Sequence, residues 1–153
     1  MRRSGIGVAG AFLVLAGCAG GADVEEATPG KRVLVATGAV APYSPAVLAD
    51  DFVFLSGQIG IAPGRRGLVP GGIAAETRQA LENVRALVQA SGASLSDVAQ
   101  CTVFLDDIGN YGAMNEVYLE FFPTEPPART AVAVAGLPLG AAVEVACIVV
   151  VRQ

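Results

Sequence analysis

The last part of the chain, residues 126–151, has the sequence PPARTAVAVAGLPLGAAVEVACIVVV. Besides one thiol, it carries only two ionisable side chains, Arg129 and Glu144. Its β-branched residues, and the glycines and proline at its centre, predict two buried strands around 129–135 and 142–151 rather than a membrane span. A lone charge in an apolar strand costs several kcal/mol unless it is paired or used. Both charged residues therefore need an explanation, either as a structural buried ion pair or as part of a functional site.

The preceding segments alternate between strand and helix signals. Short β-branched and aromatic runs predict strands, and apolar residues at helical spacing predict two helices. The predicted strands cover 31–37, 51–57 and 97–105, and the predicted helices cover 73–91 and 109–122. With the two closing strands, the order ββαβαββ predicts an α+β domain with both helices on one face of a mixed sheet. The other face would be apolar and bare, so we expect an oligomer to bury it.

The sequence also predicts the orientation or pairing of several side chains in these elements. On the first helix, Glu76 and Glu82 are predicted to face away from the core, and Arg78 to pair with Glu82 one turn later. Cys101 and Cys147 fall on predicted strands. Two buried thiols in a core are the commoner arrangement, and a disulfide in an oxidising compartment is the alternative.

Composition limits the chemistry that the chain can perform. The 153 residues are 53% hydrophobic and 16% charged, which fits one globular domain. A net charge of −4 without a basic run argues against nucleic acid as a partner. The chain has no His and its three Cys are far apart, which excludes His-based nucleophile systems, His-ligated metals and Cys-x-x-Cys sites. An enzyme of this composition would use Arg, carboxylates, Tyr, Asn, backbone groups and water, and no metal site is expected.

The N-terminal sequence MRRSGIGVAGAFLVLAGCAGG predicts a bacterial export signal. Two arginines precede a short apolar run, and the Leu-Ala-Gly-Cys that ends at Cys18 matches the lipobox of lipoproteins. We therefore predict a signal peptide at 1–17, lipidation of Cys18, a flexible tether at 18–30 and a folded domain at 31–153. The protein would be exported to the periplasm and held at the outer membrane by its lipid anchor alone. A plain secretory signal or an uncleaved anchor is the alternative, although the apolar run is shorter than the roughly 20 residues that a span needs.

Nine short motifs follow one another between about residue 40 and the end of the chain. They are Ala41-Pro-Tyr-Ser44, Ser56-Gly-Gln-Ile59, Gln79-Ala-Leu-Glu-Asn-Val84, Thr102-Val-Phe-Leu105, Met114-Asn-Glu-Val-Tyr118, Phe121-Phe122, Pro127-Ala-Arg-Thr130, Leu137-Pro-Leu-Gly140 and Val143-Glu-Val145. This ordered set resembles the reactive intermediate deaminase family (RidA, YjgF-type). The resemblance implies a chorismate-mutase-like α+β fold and a homotrimer with its active sites between subunits. It also implies hydrolysis of 2-imino acids, of the 2-iminobutanoate and 2-iminopropanoate type, or of their enamines, to 2-oxo acids and ammonia, without a metal or organic cofactor.

The same resemblance gives the two charged residues a role. Arg129 matches the carboxylate-binding Arg of the family, and a planar, permanently charged guanidinium suits the carboxylate of a 2-imino acid. Glu144 matches the Glu that positions water or shuttles a proton, which hydrolysis of a C=N bond requires. Their places on consecutive predicted strands would let them approach each other within a subunit, although the family pairs residues across subunits.

Three more residues match substrate-binding positions of the family. Tyr43 matches a pocket tyrosine that packs on the substrate and donates a hydrogen bond from its hydroxyl. Gly57 matches a position where the backbone lies close to the substrate, an approach that glycine permits. Asn115 matches a helix asparagine that borders the site. As alternatives, Tyr43 would cap the core and Asn115 would satisfy local backbone groups.

Departures from the family pattern keep other functions open. This chain has Thr130-Ala131 where many bacterial members have Ser-Cys, and Ala146 where a second Glu is frequent, which concerns substrate range more than reaction type. An export signal also differs from the cytoplasmic role for which the family is known. The alternatives are a trimer that binds small carboxylates without turnover, hydrolysis of a different C–N substrate such as an aminoacrylate-type intermediate, and RNA cleavage, against which the acidic charge counts.

Overall fold

The structure, a computed structural model, describes residues 30–34 and 42–151. In this part of the chain α1 spans Gly72–Ala90 and α2 spans Tyr111–Phe121. The strands are β1 Lys31–Leu34, β2 Ala46–Ala49, β3 Phe52–Leu55, β4 Gln58–Ile59, β5 Val98–Leu105, β6 Ala128–Ala133 and β7 Val143–Val150. The predicted signal peptide, Cys18 and all but the last residue of the tether lie outside the described residues.

The strands form one mixed sheet. Their order is β1-β2-β3-β7-β5-β6, and β4 also pairs with β7. β5 and β6 run parallel, whereas every other pair is antiparallel. The closing strand β7 therefore lies inside the sheet, with its backbone hydrogen-bonded along both edges. The predicted α+β architecture with a mixed sheet is confirmed.

The core lies between one face of this sheet and the two helices. Alternate residues of β7 point into it, and Val143, Val145 and Val149 are fully buried. The predicted inward face of α1 is confirmed by four buried residues, Thr77, Leu81, Val84 and Val88. Both helices thus cover the same face of the sheet, as predicted.

Two features of the strands differ from the sequence prediction. β4, which pairs with β7, and β2 are additional strands. β2 pairs with β3 through a turn that holds Asp50 in the left-handed conformation (φ 50°). Its sequence, Ala-Val-Leu-Ala, has one β-branched residue and no aromatic one, which is a weaker strand signal than the Phe-Val-Phe-Leu of β3. In addition, β6 and β7 follow each other in the chain but are not neighbours, because β5 lies between them and pairs in parallel with β6.

The charged residues of α1 make contacts that the sequence did not predict. Arg78 donates two hydrogen bonds to the carboxylate of Glu120 on α2, at 2.5 and 2.6 Å, instead of pairing with Glu82. Glu76 does not face solvent, because it is only 7% exposed. Its carboxylate accepts a 2.8 Å hydrogen bond from the backbone N–H of Ala142. Both partners come from elements that are distant in sequence, which the local spacing rule cannot include.

Cys101 and Cys147 form a disulfide between β5 and β7, so the expectation of two buried thiols is wrong. The two residues are direct register partners with Cα atoms 4.1 Å apart. Both are buried on the face that the helices cover. The bond therefore joins two neighbouring strands in the interior of the sheet.

The face of the sheet away from the helices is apolar and open. Strand register places Phe52, Phe54 and Val132 on this face together with Glu144. Phe52 and Phe54 are each 46% exposed, and Val132 is 40% exposed. The predicted bare apolar face is confirmed. None of the helices in the described ranges is long and apolar enough to cross a membrane.

Candidate functional site

Arg129 lies near the start of β6 and points toward α2. Its register partner on β5 is the buried Cys101, so its side chain leaves the sheet on the helix side. There Nη2 donates a 3.2 Å hydrogen bond to the hydroxyl of Tyr111, and Cζ lies 4.6 Å from the ring centroid of Tyr118. Within the described residues, no carboxylate forms an ion pair with Arg129. The guanidinium is held by aromatic side chains and remains able to bind an anion.

A cavity of about 390 Å³ opens beside this guanidinium. Its walls are Asn115, Tyr118, Leu119, Pro126, Pro127 and Arg129. Two of the residues predicted from the sequence, Asn115 and Arg129, are therefore brought together. Burial raises the pKa of Tyr118 to about 12, so its ring stays neutral beside the cation at pH 7. Arg129, Asn115, Tyr111 and Tyr118 are called the arginine half-site below.

Glu144 lies on β7 and points to the open face of the sheet. Gly57 lies directly against its carboxylate, since a Cβ atom added at Gly57 would be 1.7 Å from Oε1 of Glu144. Partial burial raises the pKa of the Glu144 carboxyl above its ordinary value. A carboxyl group with a raised pKa exchanges its proton closer to neutral pH, which suits proton transfer.

Tyr43 is tied to this second group of residues through the backbone. Ser56 donates hydrogen bonds to the two backbone carbonyls that follow Tyr43, at 2.7 and 2.9 Å. These bonds hold the Tyr43 segment beside Gly57. The Tyr43 side chain is 59% exposed, so it does not cap the core of one chain. Tyr43, Gly57 and Glu144 are called the glutamate half-site below.

Within one chain the two half-sites do not meet. Arg129 and Glu144 leave the sheet on opposite faces, and β5 separates their strands. The expectation that consecutive strands bring them together within a subunit is therefore wrong. A structural ion pair between them is also absent from the described part of the chain. One small molecule can contact both side chains only if a second subunit supplies one of them.

The aromatic residues around Arg129 were not predicted as part of the site. Met114 and Tyr118 follow Tyr111 by three and seven residues along α2, and this spacing places the three side chains on one helix face. Met114 Sδ lies 3.9 Å from Nη1 of Arg129, which completes the contacts of the guanidinium on this face. The helical spacing was a signal, but the sequence does not show that β6 passes along this face.

The described residues contain no cluster of side chains that could bind a metal ion. In the ranges 30–34 and 42–151, no group of three or more His, Cys, Asp or Glu side chains is placed to hold a metal ion. The ionisable groups of the two half-sites are Arg129, Glu144 and three tyrosines.

Comparisons with known proteins find relatives in sequence. The sequence model of the family described as Endoribonuclease L-PSP matches residues 33–151. The chain is 44% identical over 115 residues to a protein of Capra hircus named 2-iminobutanoate/2-iminopropanoate deaminase. It is 42% identical over 115 residues to the Homo sapiens protein of the same name. Each alignment covers 75% of this chain and 84% of the relative.

Solved structures share the fold. RidA from the Antarctic bacterium Psychrobacter sp. superimposes with a TM-score of 0.72 at 36% identity, over 81% of this chain and 100% of that one. The YjgF gene product from E. coli gives a TM-score of 0.74 at 33% identity, over 79% of this chain and 99% of that one. The similarity therefore extends over essentially the whole of these structures.

Proposed function

Because the chain belongs to the Endoribonuclease L-PSP (RidA) family, we propose that it hydrolyses small 2-imino acids, of the 2-iminobutanoate and 2-iminopropanoate type, to 2-oxo acids and ammonia. The observation that carries the proposal is the state of Arg129, a guanidinium beside a cavity with no carboxylate partner among the described residues. A partly buried charge without a partner is expected where an anionic ligand takes the partner's place. The relatives named deaminase indicate the class of that anion.

Arg129 would bind the carboxylate group of the substrate. A guanidinium offers parallel N–H donors to both carboxylate oxygens, which fixes the position and the plane of the substrate. The ring of Tyr118, 4.6 Å from Cζ, supports one side of the guanidinium. Binding the group adjacent to the reacting carbon places the C=N bond at a fixed distance from the arginine half-site.

Glu144 would carry the protons of the hydrolysis. Its carboxylate takes a proton from a water molecule as the water oxygen bonds to the imine carbon, and passes this proton to the nitrogen as the π bond opens. In the resulting carbinolamine, Glu144 takes the hydroxyl proton and passes it to the nitrogen, and the C–N bond breaks as the C=O bond forms. Ammonia leaves and the 2-oxo acid remains. One water is consumed, and no oxidant or reductant is needed.

We extend the proposal to a site shared between subunits of a homotrimer. Arg129 and Glu144 lie on opposite faces of the sheet, so a complete site needs the arginine half-site of one subunit and the glutamate half-site of another. The open face that carries Glu144 is also apolar, with Phe52 and Phe54 each 46% exposed. An interface on this face would bury those rings and bring a second subunit to Glu144.

The proposed location is the cell envelope. The lipobox at Cys18 supports export as a lipoprotein, with the membrane contacted only through the lipid. The disulfide between Cys101 and Cys147 supports it independently, because disulfides form and persist in oxidising compartments such as the periplasm.

The deaminase proposal is tested by an assay of the full-length protein in detergent. An amino-acid oxidase generates 2-iminobutanoate in solution, semicarbazide traps the imine that remains, and the loss of trapped product measures hydrolysis. We expect the wild type to accelerate this loss, and Arg129→Ala and Glu144→Ala each to lower kcat/KM by about 100-fold or more. Arg78→Ala and Glu82→Gln, which each remove one charge of a surface ion pair, are the controls and should retain activity.

The outcomes separate the alternatives. A folded wild-type protein that accelerates the hydrolysis of no small 2-imino acid would overturn the deaminase proposal. Binding of 2-oxobutanoate that depends on Arg129, without turnover, would support the non-catalytic carboxylate-binding protein instead. Turnover of an aminoacrylate alone would keep the reaction type and change the substrate.

A further inference from the structure

Tyr111 is the residue that hydrogen-bonds directly to Arg129. It opens α2, and its hydroxyl oxygen accepts the 3.2 Å hydrogen bond from Nη2. The centroid of its ring lies 5.6 Å from Cζ of the same guanidinium. The side chain is 41% exposed, so the hydroxyl is accessible from solvent. Tyr111 therefore lies at the accessible edge of the arginine half-site.

Asn115 contacts the same hydroxyl. It follows Tyr111 by four residues, which puts both side chains on one face of α2. The hydrogen bond from Asn115 is the largest of the effects that lower the pKa of Tyr111, ahead of the positive charge of Arg129. Asn115 also lines the cavity, so the Tyr111 hydroxyl lies near the space beside Arg129.

The proton of the Tyr111 hydroxyl is then left for another partner. A tyrosine hydroxyl has one proton to donate and two lone pairs to accept hydrogen bonds. Arg129 can only donate, so its hydrogen bond occupies a lone pair of the hydroxyl oxygen and leaves the proton unused. In the described part of the chain, no acceptor for the Tyr111 proton is found. An O–H donor next to a guanidinium is a suitable second contact for a carboxylate.

We propose that Tyr111 is a further substrate-binding residue, which fixes Nη2 of Arg129 and donates its hydroxyl proton to an oxygen of the carboxylate that Arg129 binds. This inference rests on the proposed function, because it takes the carboxylate of a 2-imino acid as the ligand.

The test is Tyr111→Phe in the full-length protein, since this change removes the hydroxyl and keeps the ring. The loss of one hydrogen bond to a charged ligand should raise KM for 2-iminobutanoate by about 10-fold or more. Because the contact is present in both the bound substrate and the transition state, kcat should stay within about 2-fold. The unfolding temperature should be unchanged, because the hydroxyl is exposed. A purely structural role would move the unfolding temperature or kcat instead of KM.

A second measurement does not depend on turnover. Calorimetric titration with 2-oxobutanoate, the product of the proposed reaction, should show a dissociation constant for Tyr111→Phe raised by the same factor as KM. Arg129→Ala should weaken binding more strongly, and Arg78→Ala should bind as the wild type does.

The two measurements distinguish the inference from the proposed function. Unchanged KM and unchanged affinity in Tyr111→Phe would overturn the inference and leave the deaminase intact. A wild type that binds 2-oxobutanoate without turnover, with weaker binding in Tyr111→Phe, would overturn the deaminase and support the inference. A folded wild type that neither binds 2-oxobutanoate nor hydrolyses imines would overturn both.

Discussion

Gly57 has no Cβ atom, which leaves the space that the Glu144 carboxylate occupies. A Cβ at this residue would lie 1.7 Å from Oε1 of Glu144 and 2.5 Å from its Cδ, so Gly57→Ala must displace the carboxylate. The displaced atoms are the end of a flexible side chain, and the stability cost should be small. We expect kcat/KM to fall on the order of 100-fold, because a misplacement of about 1 Å is enough to disrupt proton transfer. A drop in the unfolding temperature that accounts for the lost activity would contradict this explanation.

Glu144 itself gives a prediction about pH. Burial raises its pKa in the folded protein, so the folded state holds this proton more tightly than the unfolded chain does. The stability from this group is complete below the ordinary glutamate pKa of about 4.3 and is lost as the pH rises through the raised value. Glu144→Gln should therefore be more stable than the wild type at pH 7, by less than about 1 kcal/mol because the carboxyl is only partly buried. Thermal unfolding at pH 4 and pH 7 measures the difference, and an equal advantage at both values would contradict the prediction.

Between elements, the disulfide links β5 to β7 and closes a loop with a sequence separation of 46 residues. Restricting the unfolded chain in this way stabilises proteins by about 2–4 kcal/mol. We expect a reductant to lower the free energy of unfolding by that amount, and Cys101→Ala/Cys147→Ala to be less stable and insensitive to the reductant. Denaturant titration with and without dithiothreitol measures both. If reductant leaves the wild-type curve unchanged, the disulfide does not form in solution.

The elements whose bounds the sequence predicted most closely are those with a long local pattern. α1 and the strands β5 and β7 were predicted within one residue, because their patterns extend over eight residues or more. β2, of the same length as β3, was missed because Ala-Val-Leu-Ala has only one β-branched residue and lacks the aromatic residues of a strong strand signal. The pairing of strands across the sheet could not be predicted from local sequence patterns either. The parallel insertion of β5 between β6 and β7, and the resulting pairing of Cys101 with Cys147, depend on contacts that are remote along the chain.

For the whole molecule, the open apolar face and the two separate half-sites point to the same requirement, a second subunit. Motif resemblance supplied Arg129, Glu144 and Asn115 as candidates without showing which of them share a face. That division depends on strand register, since a shift of one residue reverses the face of a side chain. Arg129 is the register partner of the buried Cys101 and lies on the same face of the sheet. Glu144 lies between the buried Val143 and Val145 on β7 and therefore points to the opposite face.

Subunit mixing tests this division directly. Arg129→Ala and Glu144→Ala should each be inactive, but a hybrid oligomer contains sites that combine the intact Arg129 of one subunit with the intact Glu144 of another. Random assembly of equal amounts gives both intact residues at about a quarter of the sites when they come from different subunits, and at none when they come from one. Co-expression of the two variants should therefore restore about one quarter of wild-type activity. Gly57→Ala mixed with Glu144→Ala is the matched control: both residues lie in the glutamate half-site of the same subunit, so no activity should return. Recovery in the control, or none in the first mixture, would contradict a site built from one subunit's arginine half-site and another's glutamate half-site.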